Sequence, residues 1–248
     1  EPERDMPDLT NLPMPRVPSL DAPLDIVIAG VGGTGIVTVG ALLVMAAHLE
    51  NKTALIHDKL GMAQKYGAVH SHLRLSSDYI PSVRIPDGQA RLLIGGDLRC
   101  ATEPPVTRLI NPDNAHIVVA SEQSVGGEFT RNPDFDFRET DMQATVKRLG
   151  GDRARILPAR HLALTYLGDE IGANLLLLGH AWQEGHIPLS FEAIDRAIEM
   201  NGVAVDLNRK AFALGRLVAV KPELADRPVP EEKNLDELVA HRKELLTA

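Results

Sequence analysis

A glycine-rich turn between an apolar strand and a helix constrains the fold of this chain more than any other feature. The apolar run from Asp25 to Ala29 is typical of a buried strand, and residues 36–49 have the apolar pattern of a helix. The residues between them are, in order, Gly30, Val31, Gly32, Gly33, Thr34 and Gly35, which fit the spacing G-x-G-x-x-G. Such a turn presents backbone N–H groups at a helix N-terminus, where the helix dipole favours a phosphate or a carboxylate.

This turn predicts an anion-binding site for a cofactor. The candidate cofactor-binding residues are Gly30, Gly32, Gly33, Thr34 and Gly35. The alternative is structural, because glycines at these positions also let a helix pack closely on its strand.

An acidic residue at the end of the next predicted strand is a further candidate for cofactor binding. The strand is predicted over residues 53–58 and ends at Asp58, roughly twenty residues beyond Gly35. Dinucleotide-binding folds place a ribose-binding acid at about that separation. Asp58 is therefore a candidate ribose ligand, and a plain turn residue closing a strand is the alternative.

A row of basic side chains lies on a strand predicted over residues 68–75. The alternation places His70, His72 and Arg74 on one face, and the other face carries Val69, Ser71, Leu73 and Leu75. In a cleft or an interface this face would contact a substrate or a partner, and in water it would be the solvated side of a strand. Gln64 and Lys65, in the preceding loop, are candidates for the same contacts. A metal site is not predicted, since no clear third ligand accompanies the two histidines.

The remaining pattern predicts an α/β fold with a mostly parallel, Rossmann-like sheet flanked by helices and a helical C-terminal section. Further strands are predicted at 90–95, 115–121 and 154–158, and further helices at 97–109, 140–149, 159–167, 171–183, 191–201 and 203–220. Ligands of such sheets collect at the carboxyl ends of the strands. We therefore expect the glycine turn, Asp58 and the loop at 61–67 to border one crevice.

The composition changes at both ends of the chain. Residues 1–23 contain six prolines and are predicted to form a linker or an arm laid over a neighbour. Residues 24–220 form the predicted domain. Residues 221–248 form a charged tail with a short predicted helix at 235–246.

Charge and cysteine content exclude several classes of function. The net charge of −8 argues against a nucleic-acid partner. No apolar run reaches the roughly 20 residues that a membrane-spanning helix needs. Because Cys100 is the single cysteine, the chain forms no internal disulfide and no four-cysteine iron–sulfur cluster of its own. The expected compartment is the cytoplasm.

Three blocks of sequence resemble a known family. They are the glycine turn, the segment Gly61–Val69 with Ser71–Arg74, and the stretch Ile198–Val205 with Gly215 and Arg216. Together they resemble the gamma-type domain of 2-oxoacid:ferredoxin oxidoreductases over about residues 24–220. The resemblance is closest to the indolepyruvate oxidoreductases, in particular their long fused versions. Tyr66 departs from the family pattern, which has a glycine at that position.

The resemblance implies a subunit or domain that contributes to the oxidative decarboxylation of an aryl 2-oxoacid to an acyl-CoA, and that is inactive alone. Thiamine diphosphate, magnesium and the iron–sulfur clusters are then expected on a partner subunit or domain, with electrons passing to ferredoxin. Coenzyme A is the cofactor that this domain itself would help to hold. No residue of this chain is assigned to catalysis, and a homodimer is expected.

Two other functions stay open at this point. A free-standing NAD-binding Rossmann dehydrogenase would use the glycine turn and Asp58. A non-catalytic assembly module would use the glycine turn only for packing and the His70–Arg74 face for binding a partner.

Overall fold

The computed structural model describes residues 6–60, 67–124 and 138–225, and within these ranges one six-stranded sheet forms the centre of the molecule. Its strands are β1 (Leu24–Val31), β2 (Thr53–Leu60), β3 (Ala68–Ser76), β4 (Leu92–Gly95), β5 (His116–Ala120) and β6 (Ala154–Leu157). They lie in the order β2-β3-β1-β4-β5-β6.

The predicted α/β class is confirmed, with one strand running against the others. β1 pairs in parallel with β4, β4 with β5, and β5 with β6, whereas β3 is antiparallel to both β1 and β2. Because β3 is inserted between them, β2 lies two strands from β1, about 10 Å away.

Helices cover both faces of the sheet. They are α1 (Ile36–Leu49), α2 (Leu98–Thr102), α3 (Pro104–Thr107), α4 (Glu139–Gly150), α5 (Ala159–Leu167), α6 (Ala173–Gln183), α7 (Phe191–Asn201) and α8 (Val205–Val220). The larger core joins one face of the sheet to α1 and α5–α8. The smaller core joins the other face to α2, α3 and α4.

The helix predicted over 97–109 is wrong in one respect, because the structure divides it into α2 and α3. The division falls at Glu103, whose backbone is extended with φ −65° and ψ 145°. A residue before proline avoids the helical region, and Pro104 and Pro105 lack the N–H groups that would continue α2.

Two glycines allow α6 and α8 to approach each other closely. A Cβ at Gly179 would collide with the carbonyl oxygen of Phe212, and a Cβ at Gly215 would collide with that of Leu176. The backbones therefore meet without intervening side chains. This close contact fixes α6, whose N-terminal end borders the cavity described below.

The N-terminal segment lies against the chain's own helices. Residues 6–23 contain no helix or strand, and Met6, Leu9, Leu12 and Leu20 pack on the larger core. The carbonyl oxygen of Pro13 accepts hydrogen bonds from Gln183 Nε2 at 2.8 Å and from Arg216 Nη2 at 3.2 Å.

The predicted C-terminal helix at 235–246 lies outside the described residues. Within the described ranges, none of the helices is both long enough and apolar enough to cross a bilayer.

Candidate functional site

A cavity of about 660 Å³ opens at the carboxyl ends of the parallel strands. After β1 the chain enters α1 on one face of the sheet, and after β4 it enters α2 on the other, so the cavity lies at the point where the winding reverses. Open α/β sheets bind their ligands in this position. The cavity is lined by Gly32, Gly33, Thr34, Gly96, Gln123, Ser124, Arg160, Asp169, Glu170, Ile171, Ala173 and Asn174.

The glycine turn forms one wall of this cavity. Gly33 and Gly35 have φ values of 88° and 81°, in the left-handed region that glycine adopts without strain. The Gly32 N–H donates to the Gly67 carbonyl oxygen at 2.8 Å, but no described residue accepts from the N–H of Gly33 or Gly35. Both groups lie at the N-terminus of α1, and the N–H of Gly33, which lines the cavity, is the donor that the turn leaves for a ligand there.

The five glycine-turn residues predicted from the sequence divide into two groups. Gly32, Gly33 and Thr34 line the cavity, whereas Gly30 and Gly35 do not. A Cβ at Gly30 would lie 2.9 Å from Ile36 Cγ1, so this glycine serves the packing of α1 on β1. Gly35 precedes α1 as its N-cap residue.

Asn174, which is 140 residues from Thr34 in the sequence, holds the glycine turn in place. Its side chain is 4% exposed, and its Nδ2 donates to the Thr34 carbonyl oxygen at 2.7 Å. Its Oδ1 packs so closely on Gly96 that a Cβ at position 96 would collide with it. The N-terminal end of α6 thereby connects the ends of β1 and β4.

Arg160 lines the cavity and forms an ion pair with Asp97 behind it. Asp97 is fully buried, and its Oδ2 lies 3.0 Å from Arg160 Nη2. The same carboxylate accepts from the Cys100 N–H at 3.0 Å and from the Ser124 N–H at 2.5 Å. Arg160 Nη2 also donates to Ser124 Oγ at 2.9 Å. The ends of β4, β5 and β6 are thus connected by one network.

Asp58 does not lie at this cavity, and its predicted place in a common crevice is wrong. It stands within β2 and not at its end, level with Ser71 of β3 and Ile28 of β1. Its carboxylate accepts a hydrogen bond from the Ser71 hydroxyl. The residue separation that predicted a ribose ligand says nothing about strand order, and the inserted β3 separates β2 from β1.

The basic row on β3 faces the smaller core and the loop at 77–91. His72 is 1% exposed, and its Nδ1 accepts from the Ile85 N–H at 3.0 Å. Burial, reinforced by the nearby Lys59 charge, lowers the pKa of His72 to about 4. Burial likewise lowers the pKa of His70. Neither histidine lines the cavity.

Arg74 is engaged in a paired contact within the fold. Its Nε and Nη2 donate to the two oxygens of Asp25 at 2.7 Å and 3.1 Å, and its Nη1 donates to the Ser82 carbonyl oxygen at 3.0 Å. Gln64 and Lys65 lie outside the described residues. Within those residues, no three histidine, cysteine or acidic side chains stand together as metal ligands would.

The sequence pattern of a known family matches nearly the whole of this fold. The family is the pyruvate ferredoxin/flavodoxin oxidoreductases, and the match covers residues 25–218. The chain belongs to this family. The matched residues include the whole sheet after its first residue, together with the described part of the cavity lining.

Curated relatives are similar to this chain along most of their own length. The indolepyruvate oxidoreductase subunit IorB of Thermococcus kodakarensis is 29% identical over 202 residues, covering 77% of this chain and 93% of the relative. The IorB subunit of Pyrococcus horikoshii matches with the same identity and coverage.

Solved structures share the fold of this family member. The gamma subunit of a keto/oxoacid ferredoxin oxidoreductase from Geobacter sulfurreducens superposes with a TM-score of 0.56 at 21% identity, covering 80% of this chain and 99% of that one. A 2-oxoglutarate:ferredoxin oxidoreductase from Magnetococcus marinus superposes with a TM-score of 0.57 at 16% identity, covering 80% of this chain and 31% of that one. The Magnetococcus structure contains 2-oxoglutarate, coenzyme A and succinyl-CoA.

Sequence reasoning missed three residues of the site in this oxidoreductase-family chain. Asp97 follows Gly95 and Gly96 at the end of an apolar strand, a second glycine-rich strand end that could have been noticed. Arg160 and Asn174 stand among ordinary helical residues. Only the folded chain brings these two to the cavity.

Proposed function

We propose that this chain is a subunit of a 2-oxoacid:ferredoxin oxidoreductase of the indolepyruvate type. Its membership of the family over residues 25–218 supports this, as does its similarity to IorB subunits along 93% of their length. A partner subunit or domain carries thiamine diphosphate, magnesium and the iron–sulfur clusters, and the complex delivers electrons to ferredoxin.

Within that complex, this chain holds the phosphate end of coenzyme A. The single observation that carries this proposal is the cavity at the glycine turn, where the N–H of the lining residue Gly33 has no acceptor among the described residues. Phosphate groups bind where such donors meet a helix N-terminus.

The chain's own residues bind and orient the cofactor, and they transfer no proton. Thiamine diphosphate on the partner would supply the decarboxylation, the partner's iron–sulfur clusters would take up the electrons released, and coenzyme A held by this chain would be the acceptor of the oxidised acyl group. Asn174 keeps the glycine turn in place through its hydrogen bond to Thr34. A rigid site of this kind limits the loss of conformational entropy when the cofactor binds.

The dehydrogenase alternative loses one of the two features that favoured it. Asp58, its candidate ribose ligand, does not line the cavity and is separated from β1 by β3. The assembly alternative keeps some support from Gly30, which serves the packing of α1.

Calorimetric titration of the whole chain with coenzyme A, and separately with NAD, tests the proposed cofactor site. Gly33→Asp places a negative charge in the turn and should abolish binding of coenzyme A. Gly88→Asp is a matched control, because Gly88 also has a positive φ, of 72°, and open space around it, but lies outside the cavity. Binding of NAD alone would revive the dehydrogenase, and binding of neither would favour the assembly module.

Co-expression with a thiamine-dependent partner tests the proposed complex. We expect the reconstituted complex to reduce a low-potential dye in the presence of a 2-oxoacid and coenzyme A, and the isolated chain to be inactive. Sedimentation of the isolated chain tests the homodimer, which stays a prediction.

A further inference from the structure

We propose that Arg160 is the residue that binds the phosphate of the ligand in this cavity, and that Asp97 is its positioning residue. The inference rests on the proposed function, since it assumes that the cavity takes a phosphorylated cofactor. It adds a charged ligand contact, contributed by a helix remote in sequence from the glycine turn.

The protein holds the guanidinium of Arg160 through one of its three nitrogens. Its Nη2 makes both contacts, to Asp97 Oδ2 at 3.0 Å and to Ser124 Oγ at 2.9 Å. Its Nε and Nη1 have no acceptor among the described residues, and the side chain is 22% exposed where it lines the cavity. Three N–H donors therefore remain for an oxyanion, in the planar arrangement that matches phosphate.

Asp97 determines where the guanidinium points. Its carboxylate is fully buried and receives two backbone N–H groups, from Cys100 and Ser124, besides Arg160. A buried carboxylate held in this way does not swing toward the cavity, and it does not line it. It fixes Arg160 before any ligand arrives, which is the preorganisation that tight binding requires.

The other charged residues of the cavity wall indicate that an anionic ligand would bind at Arg160. Asp169 and Glu170 also line the cavity, and both are exposed carboxylates. Arg160 is the single arginine or lysine among the lining residues that the structure describes. A ligand with a polyanionic end therefore gains most by placing that end on Arg160 and the Gly33 turn, away from the two acids.

The test is calorimetric titration of the whole chain with coenzyme A and with inorganic pyrophosphate. Arg160→Gln should raise the Kd for both ligands by about tenfold to a hundredfold, the range for losing a charge-assisted hydrogen bond. Arg196→Gln is the matched control, because it removes the same charge from an exposed residue of α7 that does not line the cavity. It should change either Kd by less than about twofold.

A double variant separates binding from stability. Arg160→Gln leaves the buried Asp97 without its counter-charge, which by itself can destabilise the fold. Combining it with Asp97→Asn removes both charges, and the thermal midpoint should recover while the Kd stays high. Recovery of binding in the double variant would overturn the inference.

Asp97→Asn alone tests positioning. Arg160 keeps its charge in this variant but loses its anchor, so the Kd should rise several-fold while its dependence on ionic strength remains that of the unaltered chain. In Arg160→Gln that dependence should weaken. A purely structural Asp97 would lower the thermal midpoint and leave the Kd of the folded protein unchanged.

The outcomes distinguish the two proposals. If the unaltered chain binds neither ligand, the proposed cofactor site fails, and this inference fails with it. If the unaltered chain binds both ligands and Arg160→Gln binds them equally well, only this inference fails. An effect on coenzyme A without one on pyrophosphate would also overturn it, since Arg160 would then contact another part of the cofactor.

Discussion

Two buried aspartates in this chain each pair with an arginine, and the two arginines differ in how the protein uses their donors. In the Asp25–Arg74 pair, all three guanidinium nitrogens donate to the protein: two to the carboxylate and one to the Ser82 carbonyl oxygen. In the Asp97–Arg160 pair, only Nη2 does so among the described residues. Every nitrogen of the first arginine therefore donates to the protein, so no edge of its guanidinium is free of a partner, whereas the second keeps the donors of Nε and Nη1.

This difference separates a structural arginine from a binding one better than sequence position does. Arg74 belongs to a block that resembles the family, and it was predicted to contact a substrate or a partner. Its donors hold β1, β3 and the loop at 77–91 together. Arg160 belongs to no block recognised in the sequence and lines the cavity. The accounting of donors, which needs the folded chain, distinguishes the two.

The largest expected effect is on stability. Arg74→Gln should lower the free energy of unfolding by about 3 kcal/mol, because it leaves Asp25 charged and buried without its partner. The side chains of this pair are only 15% and 8% exposed, so solvent screens the loss little. Urea unfolding measures it.

The same Arg74→Gln variant sharpens the comparison with Arg160. The Kd for coenzyme A should be unchanged in the folded fraction, and Asp25→Asn in the same chain should restore part of the stability. A large loss of binding at full stability would place Arg74 in the ligand site.

The histidine beside Arg74 makes the stability depend on pH. His72 has a pKa of about 4 in the folded chain, lowered first by burial, against about 6.5 when exposed. Between these values the unfolded chain binds more protons than the folded one, so stability is present above pH 6.5 and falls as the pH drops toward 4. The loss of unfolding free energy that His72 causes over this window is about 3 kcal/mol.

Unfolding measured at pH 7, 6, 5 and 4 checks this, with His72→Gln showing a shallower fall than the unaltered chain. His48→Gln, at an exposed residue near the end of α1, is the control. An identical pH profile for His72→Gln and the unaltered chain would contradict a buried, neutral His72.

Local patterns explain why the elements were predictable and their order was not. The period of two in β3 and the helical period of α5 depend on nearby residues alone, and α5 begins and ends where the sequence predicted. The place of β3 between β1 and β2 depends on pairing across the sheet, which no local pattern encodes. That one insertion displaced Asp58 from the predicted crevice.

In the candidate site too, only the part formed by neighbouring residues was predictable from the sequence. Gly32, Gly33 and Thr34 belong to a contiguous motif whose spacing carries its own mechanism. Arg160 and Asp97 are 63 residues apart, and Asn174 and Thr34 are 140 apart. Their contacts arise only when α5 and α6 pack at the ends of the strands. The glycine turn was therefore visible in the sequence, and its supporting residues were not.

Asn174→Ala tests how far that support matters. The Thr34 carbonyl oxygen would lose its donor, at a cost of about 1–2 kcal/mol in stability, and the Kd for coenzyme A should rise by about fivefold as the turn loosens. Asn208→Ala is matched to it, since Asn208 Nδ2 also donates to a carbonyl oxygen, that of Val203 at 2.9 Å, but at an exposed site. Equal effects of the two variants on binding would show that the turn does not depend on Asn174.

The smallest expected effect comes from an acidic residue of the cavity. Its substitution should tighten ligand binding, whereas the other cavity substitutions should weaken it. Glu170 is exposed and lines the same cavity as Arg160, so it repels an anion that Arg160 attracts. Glu170→Gln should lower the Kd for inorganic pyrophosphate by about twofold at low ionic strength, and by less at 0.5 M salt, where exposed charges are screened. Glu192→Gln, which removes the same charge from α7 outside the cavity, should have no effect. Weaker binding of pyrophosphate to Glu170→Gln would mean that the Glu170 carboxylate contributes to the site. It would then accept a hydrogen bond from the ligand, or position a protein group that donates one to the ligand. The cavity would then recognise its ligand through both an arginine and an acid, and free arginine donors would no longer be enough to distinguish the binding Arg160 from the structural Arg74.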